Sequence, residues 1–291
     1  MNLSLTCSKS YMPLLLFLLP FLLSTLGCER KQGQEKVSVA YDLQKPVRYP
    51  MVKALDEISG IALRDIHSTD ILAIQDEDGK IFTFTLEEKK TESIEFAKRG
   101  DYEDIALLGA HIYVLRSDGT IFSFPTAALD EGKIRNVKTF DNVVPKGEYE
   151  GMYGDSISSA LYVLCKKCDR ELSKSSVTVY RLTADEAGLK SSPIKIDLSG
   201  MNQGGMNKRF QPSALARHPF TQRWCLLSSI NLQLIELSPE WKVQQTYTLK
   251  RSIFQQPEGM LFDQQGNLYI SNEAGSNKDA NILFFQYKDP K

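Results

Sequence analysis

Gln256-Pro-Glu-Gly-Met-Leu-Phe-Asp-Gln-Gln-Gly-Asn-Leu-Tyr-Ile-Ser-Asn-Glu273 is the stretch that decides the fold. Two short apolar runs, Gly259–Phe262 and Leu268–Ser271, flank Asp-Gln-Gln-Gly-Asn, a cluster of turn formers, so the segment reads as two antiparallel strands. Its opening phrase recurs upstream as Glu57-Ile-Ser-Gly-Ile, Glu103-Asp-Ile-Ala-Leu, Glu150-Gly-Met-Tyr-Gly and Pro212-Ser213-Ala-Leu-Ala. Taken from Glu57, Glu103, Glu150, Ser213 and Glu258, the spacings are 46, 47, 63 and 45 residues. The long one contains Ser199 to Gln211, a Gly- and Asn-rich stretch that reads as an inserted loop.

A second apolar run follows each phrase in register: Leu72–Gln75, Ile112–Leu115, Leu161–Leu164, Trp224–Leu227 and Leu268–Ser271. Asp78-Gly79 and Asp118-Gly119 then lead into the alternating strands Lys80–Phe84 and Thr120–Phe124, which are hairpin signatures. Outer strands follow at Glu92–Phe96, Val137–Phe140, Pro193–Asp197 and Gln244–Leu249. Four strands in each unit of roughly 45 residues mark the blade of a β-propeller. The fold expected is therefore all-β, a five-bladed β-propeller. A six-bladed ring with a degenerate blade within 165–211 is the alternative. The fifth unit stops after its third strand, Asn281–Tyr287, and the N-terminal segment Val37–Leu43 is expected to supply the missing one. Closing the ring this way removes an exposed sheet edge.

Ahead of the repeats, Met12 to Leu26 is an apolar run preceded by a polar stretch carrying Lys9. A bilayer-spanning helix needs roughly 20 residues, so the run reads as a signal-peptide core. It ends Leu26-Gly27-Cys28 and turns polar at Glu29-Arg30-Lys31, which resembles a bacterial lipobox with Cys28 as the lipidated residue, although Thr25 stands where a large aliphatic residue is usual. The domains expected are a lipoprotein signal over 1–27, a flexible tether over 28–36 and the propeller over 37–291. Localisation follows as the cell envelope, in the periplasm or at the outer membrane, with the membrane engaged through the lipid on Cys28.

The formal net charge of −1 supplies no long-range attraction for nucleic acid, which is not expected as a partner. Cysteines 165, 168 and 225 are what remain once Cys7 and Cys28 are set aside, an odd number and no disulfide framework. Residues i and i+3 of a regular strand point to opposite faces, so Cys165 and Cys168 could pair only if the chain turned at Lys166-Lys167.

The phrases Tyr102-Glu103-Asp104-Ile105 and Tyr149-Glu150-Gly151-Met152, with the extended motif from Gln256 to Glu273, resemble the SdiA-regulated (YjiK-like) family, which is distantly similar to NHL-repeat propellers. The resemblance covers nearly all of the chain after the tether. It implies a five-bladed propeller with calcium at a central site and no settled biochemical activity. Ser213-Ala214 in the fourth unit departs from the Glu-Gly pattern.

Propeller topology puts the start of each first strand and the end of each second strand on one face. Glu57, Glu103, Glu150 and Glu258 are thus expected to ring the channel mouth as metal ligands. Asp76, Glu77, Arg116, Lys166, Asn272 and Glu273 are expected around them as binding residues for a polar ligand, over which Lys208 and Arg209 of the inserted loop could close. Four carboxylates about one narrow channel repel by ~2–3 kcal/mol per pair at an effective dielectric near 20. A hard divalent cation offsets this, and calcium, with its flexible oxygen coordination, is the cofactor expected. The alternative is that each glutamate accepts backbone N–H groups from the adjoining blade. His67, His111 and His218 fall on the opposite face, and no serine sits in a nucleophile-elbow setting. The expectation is a monomeric binding module without catalysis, facing a small polar ligand or an envelope protein. A metal-dependent hydrolase acting on lactones or phosphoesters is the alternative.

Overall fold

The computed structural model describes residues 40–291 apart from 89, 169–174, 186–187, 200, 202–208, 276–277 and 290–291. The signal, Cys28, the tether and Lys208 lie outside the described residues.

Five four-stranded antiparallel sheets form a ring. Blade 1 comprises β2 (Ile58–Leu63), β3 (Ile71–Gln75), β4 (Lys80–Phe84) and β5 (Thr91–Glu95). Blade 2 comprises β6 (Tyr102–Leu108), β7 (His111–Arg116), β8 (Ile121–Pro125) and β9 (Lys138–Phe140). Blade 3 comprises β10 (Gly147–Asp155), β11 (Ala160–Cys168), β12 (Ser176–Asp185) and β13 (Gly188–Asp197). Blade 4 comprises β14 (Ala214–Arg217), β15 (Trp224–Ser228), β16 (Gln233–Leu237) and β17 (Val243–Thr248). Blade 5 comprises β18 (Pro257–Phe262), β19 (Leu268–Asn272) and β20 (Asn281–Phe285), and β1 (Val47–Pro50) completes it. The first strands touch in sequence around the channel and β18 closes on β2. No sixth sheet occurs among the described residues. The long third interval contains instead an extended hairpin, with ten residues in each of β12 and β13.

The closing strand is not the one expected. β1 pairs with β20 from Val47 opposite Phe284 to Pro50 opposite Asn281, whereas the expected strand was Val37–Leu43. Of that segment the described part, Ala40–Leu43, packs by side chain instead. Tyr41 and Leu43 are buried against blades 4 and 5, and the Ala40 carbonyl accepts the Lys288 N–H at 2.8 Å. The strand actually used carries two polar-flanked apolar residues and ends in proline. An outer edge tolerates that composition because one side of the strand needs no partner.

The core is distributed as one apolar cluster at each of the five seams between blades. The aromatic residues that recur at strand spacing supply much of it. Phe82 and Phe84 pack at the seam of blades 5 and 1, Phe122 and Phe124 at that of blades 1 and 2, and Tyr162 with Trp224 at that of blades 3 and 4. Trp224 is buried and stacks on Trp241 with ring centroids 4.2 Å apart.

Candidate functional site

One irregularity repeats where β6, β10 and β18 begin. Tyr102 faces Arg116 and Asp104 faces Leu115, leaving Glu103 without an opposite residue. Tyr149 faces Cys165 and Gly151 faces Leu164, which isolates Glu150. Pro257 faces Asn272 and Gly259 faces Ser271, which isolates Glu258. Each glutamate is therefore a β-bulge, the device that re-aims a side chain out of the pleat. In blade 1 the shift falls between Ile58 and Ile61. Ser59, not Glu57, therefore precedes the strand residues equivalent to those after Glu103, Glu150 and Glu258. Glu57 lies two residues earlier and is exposed. The fourth blade places Ser213 there, and its hydroxyl donates to the Pro257 carbonyl of blade 5 at 2.9 Å.

The three bulged glutamates act on one another electrostatically. Burial, then Glu150, Asp101 and Glu258, push Glu103 up to about 10, with Lys166 opposing. Burial and Glu150 raise Glu258 to about 7 against the Ser229 hydroxyl, Lys166 and Gln256. Burial raises Glu150 as well, although Lys166 donates to its carboxylate at 2.6 Å. Farther round the mouth, burial together with Glu258, Asp76 and Glu57 raises Glu273 to about 8. Burial and Glu57 raise Asp76 to about 6. Carboxyls from four blades thus resist ionisation together, first because burial strips them of solvent and then because neighbouring carboxylates repel them.

The other expected binding residues divide. Lys166 is a bulge opposite Glu148-Tyr149 and reaches the mouth. Glu273 belongs to it too and accepts a hydrogen bond from Gln256. Asn272 is fully buried and donates to the Asn281 side chain at 3.3 Å. Arg116 is held by its own hairpin, donating to both carboxylate oxygens of Asp118 at 3.1 and 2.7 Å. Glu77 pairs with Arg99 at the exposed rim.

The Lys166 bulge also explains the cysteines. One extra residue re-phases the alternation of β11, so Cys165 and Cys168 lie on the same side of the strand and form a disulfide with Cα atoms 6.1 Å apart. No turn at Lys166-Lys167 is involved, because the bulge does what the turn was expected to do. Sequence reading also missed Asp104. Buried, it accepts the Ile105 N–H at 2.8 Å and the Met152 N–H of the next blade at 2.6 Å. Bonding to the adjoining blade, weighed as an alternative role for the glutamates, is performed here by their neighbour.

The donor chemistry at the mouth suits a hard cation. It is all oxygen, and Asp76 Oδ1 and Asn272 Oδ1 are buried without a hydrogen-bond partner. The side chains are not preassembled, however: among the described residues no three His, Cys, Asp or Glu groups come together closely enough to hold a metal. Glu150 is also engaged by Lys166.

Fold and mouth together define a five-bladed β-propeller with an acidic channel entrance. The chain belongs to the SdiA-regulated family, whose model matches residues 39–277. Among curated proteins none matches it in sequence. In structure it is similar to Myxococcus xanthus glutaminyl cyclase, at 12% identity and a TM-score of 0.56, over 84% of this chain and 96% of that one. It is also similar to a luciferin-regenerating enzyme, at 9% identity and a TM-score of 0.51 over 84% and 96% of the two chains. The WD40 repeats of RRP9 align at 9% identity and a TM-score of 0.52, covering 86% and 99%. At these identities the likeness concerns the fold alone, and a propeller hosts unrelated functions.

Proposed function

We propose that this chain is an exported binding propeller, anchored through a lipid on Cys28, which takes calcium at its acidic mouth and presents that face to a polar ligand or envelope protein. The observation that carries the reading is the shared reluctance of Glu103, Glu258, Glu273 and Asp76 to ionise. A divalent ion offsets that mutual repulsion more completely than the one ammonium of Lys166 on Glu150. Glu103, Glu150 and Glu258 are the residues that would hold it, with Glu273 and Asp76 completing the oxygen set. Glu150 would first release Lys166. The ion's part is structural, drawing four blades together at the channel. Lipid attachment rests on the Leu26-Gly27-Cys28 junction.

Calcium titration followed by thermal melting tests the cation reading, alongside metal analysis of the purified protein. Wild type is expected to melt higher with millimolar calcium, and Glu258→Gln to lose most of that gain. An unchanged melting temperature with every divalent ion tried refutes the reading. Turnover of a lactone or phosphoester that requires the ion would replace binding with hydrolysis. Metabolic labelling with a radioactive fatty acid, abolished in Cys28→Ser, tests the anchor.

A further inference from the structure

The opposite end of the channel has a different chemistry. There the first strands of all five blades enclose a cavity of about 490 Å³, lined among others by Leu63, Leu107, Met152, Leu215, Met260 and Phe262. Its lining includes Ile61, Ile105, Met152, Leu215 and Met260, the residues immediately above the layer Gly60, Asp104, Gly151, Ala214 and Gly259. That layer is tightly closed. A Cβ built on Gly60 would stand 2.5 Å from the Asp104 Cα, and one on Gly259 would collide with the Ser59 carbonyl oxygen. It forms the floor separating the apolar cavity from the acidic mouth.

Ile66, in the cavity lining, is 65% exposed, and Ile157 and Phe220, 70% and 57% exposed, tip the corresponding turns of blades 3 and 4 at the same end of the ring. Exposed apolar residues at the end of the ring that carries an apolar cavity fit a binding surface. The floor restricts the occupant to something narrow enough to enter a channel, and the volume lies within the range of single-ligand sites. Arg64, the cation at the rim, is already paired with Asp70 and Asp130, so it offers no dedicated grip for an acidic head. Recognition therefore falls on the hydrocarbon part of the ligand. The described chain also enters on this face. The Tyr41 hydroxyl donates to the Gly266 carbonyl at 2.6 Å, and its ring lies 6.1 Å from Phe262 in the cavity wall. Eleven residues connect Cys28 to Ala40, a reach of at most about 40 Å.

We propose that this apolar mouth binds the hydrocarbon chain of an amphiphile, in a site separate from the carboxylates. The chain could come from a free fatty acid or from a bilayer lipid, and only the second source rests on the lipid-anchor reading above.

Full-length protein titrated with the fluorescent fatty acid cis-parinaric acid is expected to show saturable binding that dodecanoate displaces and calcium does not alter. Leu107→Glu places a carboxylate in the cavity wall and is expected to weaken binding at least tenfold. Leu63→Glu serves the same purpose if the first variant does not fold, with circular dichroism reporting the fold of each. Glu240→Gln, in an outer turn of blade 4, is expected to bind as wild type. Cosedimentation with phosphatidylcholine vesicles distinguishes the sources: loss in Leu107→Glu identifies a bilayer chain, and no difference identifies a free amphiphile. Absence of saturable binding, or equal binding by a folded cavity variant, overturns the proposal. Neither result bears on calcium at the other face.

Discussion

Replacing Glu258 by glutamine should stabilise the calcium-free protein in a pH-dependent way. The Glu258 carboxyl titrates near 7 in the fold because of burial and Glu150. In the unfolded chain it titrates near the ordinary value of 4.5. A folded value above the unfolded one means that the native state holds the proton more tightly. Stability is then fully retained below about pH 4.5 and falls as pH rises through 7. The difference amounts to about 3 kcal/mol by pH 8, at 1.36 kcal/mol per unit. Glutamine removes the charge while its amide can still meet Ser229 and Gln256, so the variant should recover roughly 1–3 kcal/mol at pH 8 and almost nothing at pH 4.5. For a domain of this size that is a rise of roughly 2–10 °C in melting temperature. Calorimetry of both proteins in chelator at the two pH values measures it. A variant less stable than wild type at pH 8, or a difference independent of pH, refutes the account of the mouth as uncompensated charge.

Other expectations follow from single contacts. His218 accepts the Phe220 and Thr221 N–H groups at Nδ1, and burial lowers it to about 4 from 6.5. Here the folded value lies below the unfolded one, so stability present above pH 6.5 is lost as pH falls towards 4, by up to about 3 kcal/mol less what solvent screens. The mouth carboxyls gain stability over the same range, so the loss is read as a difference: in urea melts, wild type relative to His218→Gln should be weaker at pH 4.5 than at pH 6.5 by that amount. Gly60→Ala drives a methyl against the Asp104 backbone and should cost roughly 1–3 kcal/mol in chemical denaturation. Buried Asp155 pairs with part-buried Arg217 at 2.8 Å. Asp155→Asn should cost about 2–4 kcal/mol, below the fully buried case because Arg217 is part-buried and also donates to the Gln222 carbonyl, and Arg217→Met together with it should restore part of the loss.

Blade number was legible because each unit repeats locally readable signals. Asp78-Gly79 and Asp118-Gly119 fix hairpins through turn chemistry, and runs such as Ile112–Leu115 match one strand whatever they pair with. The closing strand was not legible: Val47–Pro50 has little apolar character, since an edge strand buries only one side, while the more strand-like Tyr41-Asp42-Leu43 is used for packing. The mouth was readable in part. The recurring opening phrases mark Glu103, Glu150 and Glu258, but the same pattern drew in Glu57, which the pairing of β2 with β3 displaces by two residues. The tie of Arg116 to Asp118 and the capture of Glu150 by Lys166 depend on side-chain direction, which strand pattern alone leaves open.

By itself the sequence determined an all-β ring of five four-stranded units, because turn residues and alternating apolar runs act within a few residues of one another; that three of the four recurring glutamates are equivalent needed the strand pairing. Bulge positions, the Cys165–Cys168 bond and the apolar cavity were decided only in the tertiary structure. A bulge exists only relative to the strand opposite it, and a cavity contributed by five blades joins residues from separate repeats whose individual settings look like ordinary strand ends.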